Sequence, residues 1–114
     1  MIQHLQNVDE YEKYVQQGNV VVDFFATWCG PCRMMARVLE EIEEEYKSIV
    51  FLKVDVDKFP QIAQRFGVMS IPTFLAYKDG KRINFSINGE RMEELVGGLQ
   101  EEGFKQVLND TFGL

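Results

Sequence analysis

Apolar residues cluster along the chain in short runs that predict β-strands. Residues 20–26 are apolar on both faces apart from Asp23, a pattern typical of a strand buried on both sides of a sheet. Residues 49–56 form a second strong strand, and residues 2–5 a weaker one. A late hairpin is predicted from two further runs and the Asp-Gly turn between them, over residues 73–77, 78–81 and 82–87.

Between these strands, apolar residues recur at helical spacing and predict helices. Residues 7–17 are predicted to form a helix capped by Asn7 and ended by Gly18. A longer amphipathic helix begins near Pro31, since Met35, Val38, Leu39, Ile42 and Tyr46 share one face. Three more helical segments are predicted over residues 59–66, from residue 90 through Met92, Leu95, Val96 and Leu99, and over residues 104–112.

The order of elements is therefore β-α-β-α-β-α-β-β-α. This alternation predicts an α/β fold with a central mixed five-stranded sheet, helices on both faces and an extended C-terminal helical segment. No linker or internal repeat divides the chain, so residues 1–114 are predicted to be one domain.

Net charge and hydrophobicity argue against some classes of binding partner. The net charge of −6 argues against nucleic acid or an anionic membrane as the main partner, because both attract basic surfaces. No apolar run is long enough for a membrane helix, and the N-terminus lacks the pattern of a signal peptide. We therefore expect a cytoplasmic location.

The two cysteines carry the strongest chemical signal. The segment Trp28-Cys29-Gly30-Pro31-Cys32 lies where a buried strand ends and a helix begins. Unpaired N–H groups and the helix macrodipole favour a thiolate there, and such a thiolate can attack a disulfide. The alternatives are two unreactive thiols or half of a zinc site, for which the chain adds only one distant histidine, His4.

Asp23 is the second candidate for chemistry. A carboxylate within a doubly buried strand is costly, so it is either a satisfied core residue or a group tuned for proton transfer. Its place six residues before Cys29 favours proton transfer.

Longer motifs make the sequence recognisable. Residues 22–34, which read Val-Asp-Phe-Phe-Ala-Thr-Trp-Cys-Gly-Pro-Cys-Arg-Met, closely resemble the active-site signature of the thioredoxin family. Ser70-Ile71-Pro72-Thr73 resembles the family's second signature, and Lys78-Asp79-Gly80 and Asn88-Gly89 resemble its later turn and loop. The resemblance extends to about residue 100.

The resemblance implies roles for individual residues. Cys29 is expected to be the exposed nucleophile and Cys32 the buried thiol that resolves the mixed disulfide. Gly30, Pro31 and Lys53 are expected to tune the redox potential, and Lys53 is expected to lie near Asp23. Pro72 matches the family's cis-proline, and it is expected to form an apolar substrate-binding rim together with Trp28, Ile71 and Gly89.

The implied activity is that of a protein-disulfide reductase that participates in cell redox homeostasis. Its partners are expected to be disulfide-containing proteins and a thioredoxin reductase as electron donor. We expect a monomer that needs no metal and no cofactor beyond the Cys29–Cys32 disulfide. Two rival hypotheses are a disulfide oxidant or isomerase, and a binding module whose redox activity is incidental.

Overall fold

A central mixed β-sheet organises the chain. A computed structural model describes all residues 1–114. Its main sheet contains β1 (Ile2–His4), β3 (Ile49–Asp55), β2 (Asn19–Phe25), β4 (Thr73–Lys78) and β5 (Lys81–Ile83), in that spatial order. β1, β3 and β2 run parallel, whereas β4 is antiparallel to both β2 and β5. The five-stranded mixed sheet predicted from the sequence is confirmed, and a short β8 (Leu95–Val96) adds a sixth strand beside β4.

Helices cover both faces of this sheet, as predicted. One face packs against α2 (Gly30–Ile42), which continues as a 3₁₀ turn over Glu43–Tyr46, and against α4 (Glu101–Phe112). The other face packs against α1 (Glu10–Val15) and α3 (Pro60–Arg65). No helix is both long and apolar enough to span a membrane.

β2 has the doubly buried position that its sequence indicates. Val21 belongs to the apolar cluster on the α2–α4 face, whereas Val20, Val22 and Phe24 belong to the cluster on the opposite face. Asp23 alternates with these residues and therefore points, like Val21, toward the face that α2 covers.

The segment after β5 differs from its prediction. Residues 90–99 do not form a helix: they contain β7 (Glu90–Met92) and β8, and the last helix begins only at Glu101. Two features explain the error. Gly97 adopts a left-handed φ of 91° that interrupts any helix, and Leu95 is buried by pairing with Phe74 of β4 rather than by a helical face.

The predicted strand over residues 82–87 is also divided. β5 pairs with β4, whereas β6 (Phe85–Ile87) leaves the sheet and forms a separate hairpin with β7. Asn88 and Gly89 form the turn of this hairpin, both with positive φ. Asn-Gly is a strong hairpin signal, and here it governs the local structure.

α1 is shorter than predicted. It begins after Asp9 rather than at Asn7, whose backbone carbonyl accepts a hydrogen bond from the Glu10 N–H at 3.2 Å. The expected stop at Gly18 is present, with a positive φ of 70°.

Candidate active site

The two cysteines lie at the junction of β2 and α2. Cys29 is the N-cap residue of α2 and forms a disulfide with Cys32, with a Cα–Cα distance of 5.2 Å. The backbone N–H of Cys32 donates a hydrogen bond to the Sγ of Cys29 at 3.2 Å. Pro31 occupies the first turn of α2, where its missing N–H removes no helical hydrogen bond.

The electrostatic setting of Cys29 suits a thiolate. Its Sγ accepts an N–H from the first turn of α2, and that turn contains no acidic residue. Hydrogen-bond donation and the positive end of the helix macrodipole both stabilise negative charge at this position. When the disulfide opens, the local structure therefore stabilises a thiolate at Cys29.

The expectation of an exposed Cys29 is not met in the disulfide form. Cys29 is 5% exposed and Cys32 2% exposed, so both are buried. Residues of a neighbouring loop approach Cys29, and the carbonyl oxygen of Ile71 lies 3.9 Å from its Sγ. A small part of Cys29 reaches the surface, which leaves it slightly more accessible than Cys32.

The loop that contains Ile71 ends in a cis peptide bond to Pro72, as predicted. This loop is anchored on both sides of Pro72: Thr73 Oγ1 donates to the carbonyl of Ser70, and the Gly97 N–H donates to the carbonyl of Pro72 at 2.8 Å. Ile71 and Pro72 thus lie beside the disulfide, where the resemblance implies that they should.

Gly89 is not the glycine beside Pro72. It lies in the β6–β7 turn, whereas Gly97, directly after β8, hydrogen-bonds to Pro72. The expected place of Gly89 in the rim rested on the local resemblance of Asn88-Gly89 to the family's loop, and Gly97 takes the position beside Pro72. The segment Val96-Gly97-Gly98 lies at the site instead: the Gly97 N–H bonds to the Pro72 carbonyl, and a Cβ added at Gly98 would lie 3.2 Å from the Met34 side chain.

Trp28 is the largest apolar side chain exposed near the disulfide. It is 68% exposed, and its indole Nε1 donates a hydrogen bond to Asp57 Oδ2 at 2.8 Å. Exposed apolar side chains also occur on the elements that flank the disulfide: Met34 follows Cys32 in α2, Met69 precedes Ile71, and Val96 pairs with Thr73. No expectation from the sequence placed Met34, Met69 or Val96 in this surface.

Asp23 is buried without a hydrogen-bond partner. It is 1% exposed, and neither carboxylate oxygen has a donor within hydrogen-bonding distance. Burial raises its pKa from 3.8 to about 7, although the nearby Lys53 ammonium opposes this rise. A carboxyl group with a pKa near neutrality can both accept and release a proton under ordinary conditions.

Lys53 links Asp23 to the surroundings of Cys32. Its ammonium lies 4.0 Å from Asp23 Oδ2 and 4.6 Å from the centre of the Phe25 ring. Lys53 also lines a cavity of about 220 Å³ to which Cys32 contributes, together with Phe25, Ala26, Thr27, Arg33 and Ala36. The expected proximity of Lys53 and Asp23 is thus present.

The two cysteines have no neighbouring side chains that could complete a metal site. No group of three or more histidine, cysteine, aspartate or glutamate side chains is arranged to hold a metal ion. The arrangement of the two sulfurs is instead that of a reversible dithiol–disulfide pair.

A comparison with protein-family models settles the family. The model described as Thioredoxin matches residues 2–108. The chain belongs to the thioredoxin family. It is 50% identical over 100 residues to a thioredoxin of Listeria monocytogenes, a match that covers 87% of this chain and 88% of that protein. It is 45% identical over 85 residues to thioredoxin-2 of Saccharomyces cerevisiae, covering 73% of this chain and 82% of that protein.

Solved structures of thioredoxins share the fold. The oxidised mitochondrial thioredoxin 3 of Saccharomyces cerevisiae matches with a TM-score of 0.77 at 33% identity, covering 95% of this chain and 94% of that one. The oxidised thioredoxin of Plasmodium falciparum matches with a TM-score of 0.79 at 31% identity, covering 96% of both chains. The thioredoxin fold is therefore confirmed, and with the Cys29–Cys32 pair it makes this protein a thiol–disulfide oxidoreductase.

Proposed function

We propose that this thioredoxin-family protein acts as a general reductant of protein disulfides, with Cys29 as nucleophile and Cys32 as resolving thiol. The observation that carries this proposal is the position of Cys29 at the N-terminus of α2, where its Sγ accepts the Cys32 N–H. This geometry favours negative charge on Cys29 over Cys32, and the thiolate is the attacking species in disulfide exchange.

The reaction proceeds in two exchanges. The Cys29 thiolate attacks one sulfur of the substrate disulfide and forms a mixed disulfide, while the other substrate sulfur leaves as a thiolate. Cys32 then loses its proton and attacks Cys29 Sγ, so that the Cys29–Cys32 bond forms and the second substrate thiolate departs. One substrate disulfide is reduced to two thiols, and the two cysteine thiols are oxidised to one disulfide.

Asp23 is proposed to accept the proton that Cys32 loses. Cys32 is buried, so its deprotonation needs an acceptor inside the protein or in the adjoining cavity. Asp23 lies in the strand that leads to the motif, its pKa is about 7, and no hydrogen bond occupies its oxygens. Transfer is direct or passes through a water molecule.

The substrate is proposed to bind across the exposed apolar surface around the disulfide. Trp28, Met34, Met69 and Val96 are exposed on the elements that flank the cysteines, and the Ile71 carbonyl lies 3.9 Å from Cys29 Sγ. Methionine side chains adapt to differently shaped partners, and such surfaces suit proteins that bind several targets. We therefore propose disulfide-containing proteins in partly extended form as the substrate class.

The sequence also supports a proposal for the cellular setting. We propose a cytoplasmic monomer that carries electrons for redox homeostasis, uses no cofactor besides its own disulfide and is recharged by a thioredoxin reductase. The Gly30-Pro31 dipeptide, typical of the reducing members of the family, supports this direction over the oxidant and isomerase alternatives.

A coupled assay tests the proposal. The protein should accelerate the precipitation of insulin by dithiothreitol, and NADPH with a thioredoxin reductase should replace dithiothreitol. Cys29→Ser should abolish both activities. If the wild-type protein leaves insulin intact under both conditions and only binds it, the binding-module hypothesis is correct instead.

A further inference from the structure

Met69 is the most exposed of the large apolar side chains. It is 95% exposed, whereas Trp28, the next in order, is 68% exposed. The other four methionines are about half exposed or fully buried. Met69 therefore contributes almost no buried apolar area to the fold, and its thioether is open to solvent.

The backbone on both sides of Met69 is fixed. The Val68 N–H donates a hydrogen bond to the Ala63 carbonyl at 2.9 Å, and the Ser70 carbonyl accepts one from Thr73 Oγ1. Val68 also packs against the apolar cluster on the α1–α3 face. Ordered neighbours thus hold the Met69 side chain outward.

This side chain lies close to the disulfide. Ile71, two residues further along the chain, packs against the small cluster that contains Cys29 and Cys32. Its carbonyl oxygen lies 3.9 Å from Cys29 Sγ. Two residues span at most about 7 Å, so Met69 is within reach of a protein whose disulfide lies at Cys29.

An exposed thioether reacts with hydroperoxides. The sulfur lone pair attacks one peroxide oxygen and the O–O bond breaks, so that the methionine becomes a sulfoxide and hydrogen peroxide is reduced to water. The sulfur loses two electrons and the peroxide gains them. The product has a polar S=O group in place of an apolar sulfur, and enzymatic reduction of the sulfoxide reverses the change.

Two of the other methionine sulfurs are already hydrogen-bonded. Met1 Sδ accepts a hydrogen bond from Gln3 Nε2 at 2.8 Å. Met35 is fully buried, and its Sδ accepts the Leu99 N–H at 3.4 Å. These contacts and the lower exposure of the remaining methionines make Met69 the most accessible thioether of the chain.

We propose that Met69 is a modification site at which hydroperoxides weaken the binding of protein substrates. Under the proposed function, on which this site depends, protein substrates bind across the apolar surface that includes Met69. The sulfoxide places a hydrated polar group in that surface, and a substrate that covers it must remove its water. The Cys29–Cys32 pair is unchanged, so exchange with small disulfides continues.

The first test measures which methionine is oxidised. The disulfide form is used because it has no free thiol, and it is treated with a limiting amount of hydrogen peroxide. Peptide mapping by mass spectrometry follows each methionine. We expect Met69 sulfoxide to form about twice as fast as the sulfoxides of Met34 and Met92, as their exposed fractions indicate, and Met35 to stay unmodified. Faster oxidation of Met34 or Met92 would overturn the assignment of Met69.

The second test measures substrate binding. The KM of the oxidised wild-type protein for insulin should rise about fivefold, with kcat and the rate toward a small disulfide unchanged, because one apolar contact with the protein substrate is lost. Met69→Leu and Met92→Leu form a matched pair, and each is compared with itself before and after peroxide. Peroxide should not change the KM of Met69→Leu, whereas Met92→Leu should respond as wild type does. Met69→Gln, which is polar at this position, should have a raised KM without peroxide.

The outcomes separate this site from the proposed function. Equal KM values for the oxidised and the untreated wild-type protein would overturn the role of Met69, and so would an equal rise in Met69→Leu, which would assign the effect to another methionine. Either result leaves the reductase activity intact. The proposed function fails separately, if the untreated wild-type protein does not reduce insulin.

Discussion

Replacing Asp23 by asparagine should change stability in a way that depends on pH. The folded protein raises the pKa of Asp23 from 3.8 to about 7, so the unfolded chain releases this proton at a lower pH than the folded chain does. Above pH 3.8 the unfolded state therefore binds fewer protons, and wild-type stability falls with rising pH until Asp23 ionises in the folded state near pH 7. The asparagine variant lacks this dependence because its amide does not titrate.

The size of the stability change follows from the shift in the pKa of Asp23. One pKa unit corresponds to about 1.4 kcal/mol, so the ionisation of Asp23 costs the folded state about 4 kcal/mol above pH 7. At pH 5 the same linkage gives only about 2 kcal/mol, because the unfolded carboxyl group is ionised over just one pH unit. Wild type should therefore lose about 2 to 3 kcal/mol relative to Asp23→Asn between pH 5 and pH 8.5.

Comparing the free energy of unfolding at two pH values cancels the cost of burying the asparagine amide. A buried asparagine amide without partners costs about 1 to 3 kcal/mol, but that cost is the same at both pH values. Urea denaturation curves of the oxidised proteins at pH 5 and pH 8.5 give the four free energies of unfolding. Equal pH dependence in both proteins would refute the burial argument for Asp23, whatever the sign of the single-pH difference.

Three further predictions follow from the site. Asp23→Asn should also slow disulfide reduction at pH 7, measured by insulin turbidity, because it removes the proton acceptor, and an unchanged rate would contradict that role. Lys53→Met should raise the pKa of Asp23 further, since Lys53 is the charge that opposes the rise, and NMR titration of the carboxyl carbon would show it. Gly97→Ala and Gly89→Ala should each lose about 1 to 3 kcal/mol of stability, because both glycines have positive φ. Only Gly97→Ala should raise KM for a protein disulfide, and a matching rise in Gly89→Ala would restore the role first assigned to Gly89.

The parts of the structure that local sequence determines were predicted well. The doubly buried β2, the helix start at Pro31 and the burial of Asp23 depend on residues that are close in sequence. The periodicity of hydrophobic residues and the residues that mark a helix start predict such segments directly. The proximity of Lys53 to Asp23 came from the family resemblance, and the register between β2 and β3 accounts for it.

The errors occur where long-range pairing decides the structure. Met92, Leu95, Val96 and Leu99 have helical spacing, yet Leu95 and Val96 pair with β4, a strand well before them in the chain. That pairing brings Gly97 to Pro72 and leaves Gly89 in a separate hairpin. The burial of Cys29 by the Ile71 loop has the same origin, because a contact between residues 42 positions apart has no local signal.

Trapping the mixed disulfide tests the assignment of the two cysteines most directly. Reduced Cys32→Ser and Cys29→Ser proteins are each incubated with a disulfide-containing protein, and the covalent adducts are identified by mass spectrometry. We predict that Cys32→Ser accumulates a stable adduct through Cys29, and that Cys29→Ser forms almost none because Cys32 is the less accessible of the two and lies within the helix rather than at its cap. A dominant adduct through Cys32, or none in either variant, would contradict the proposed mechanism.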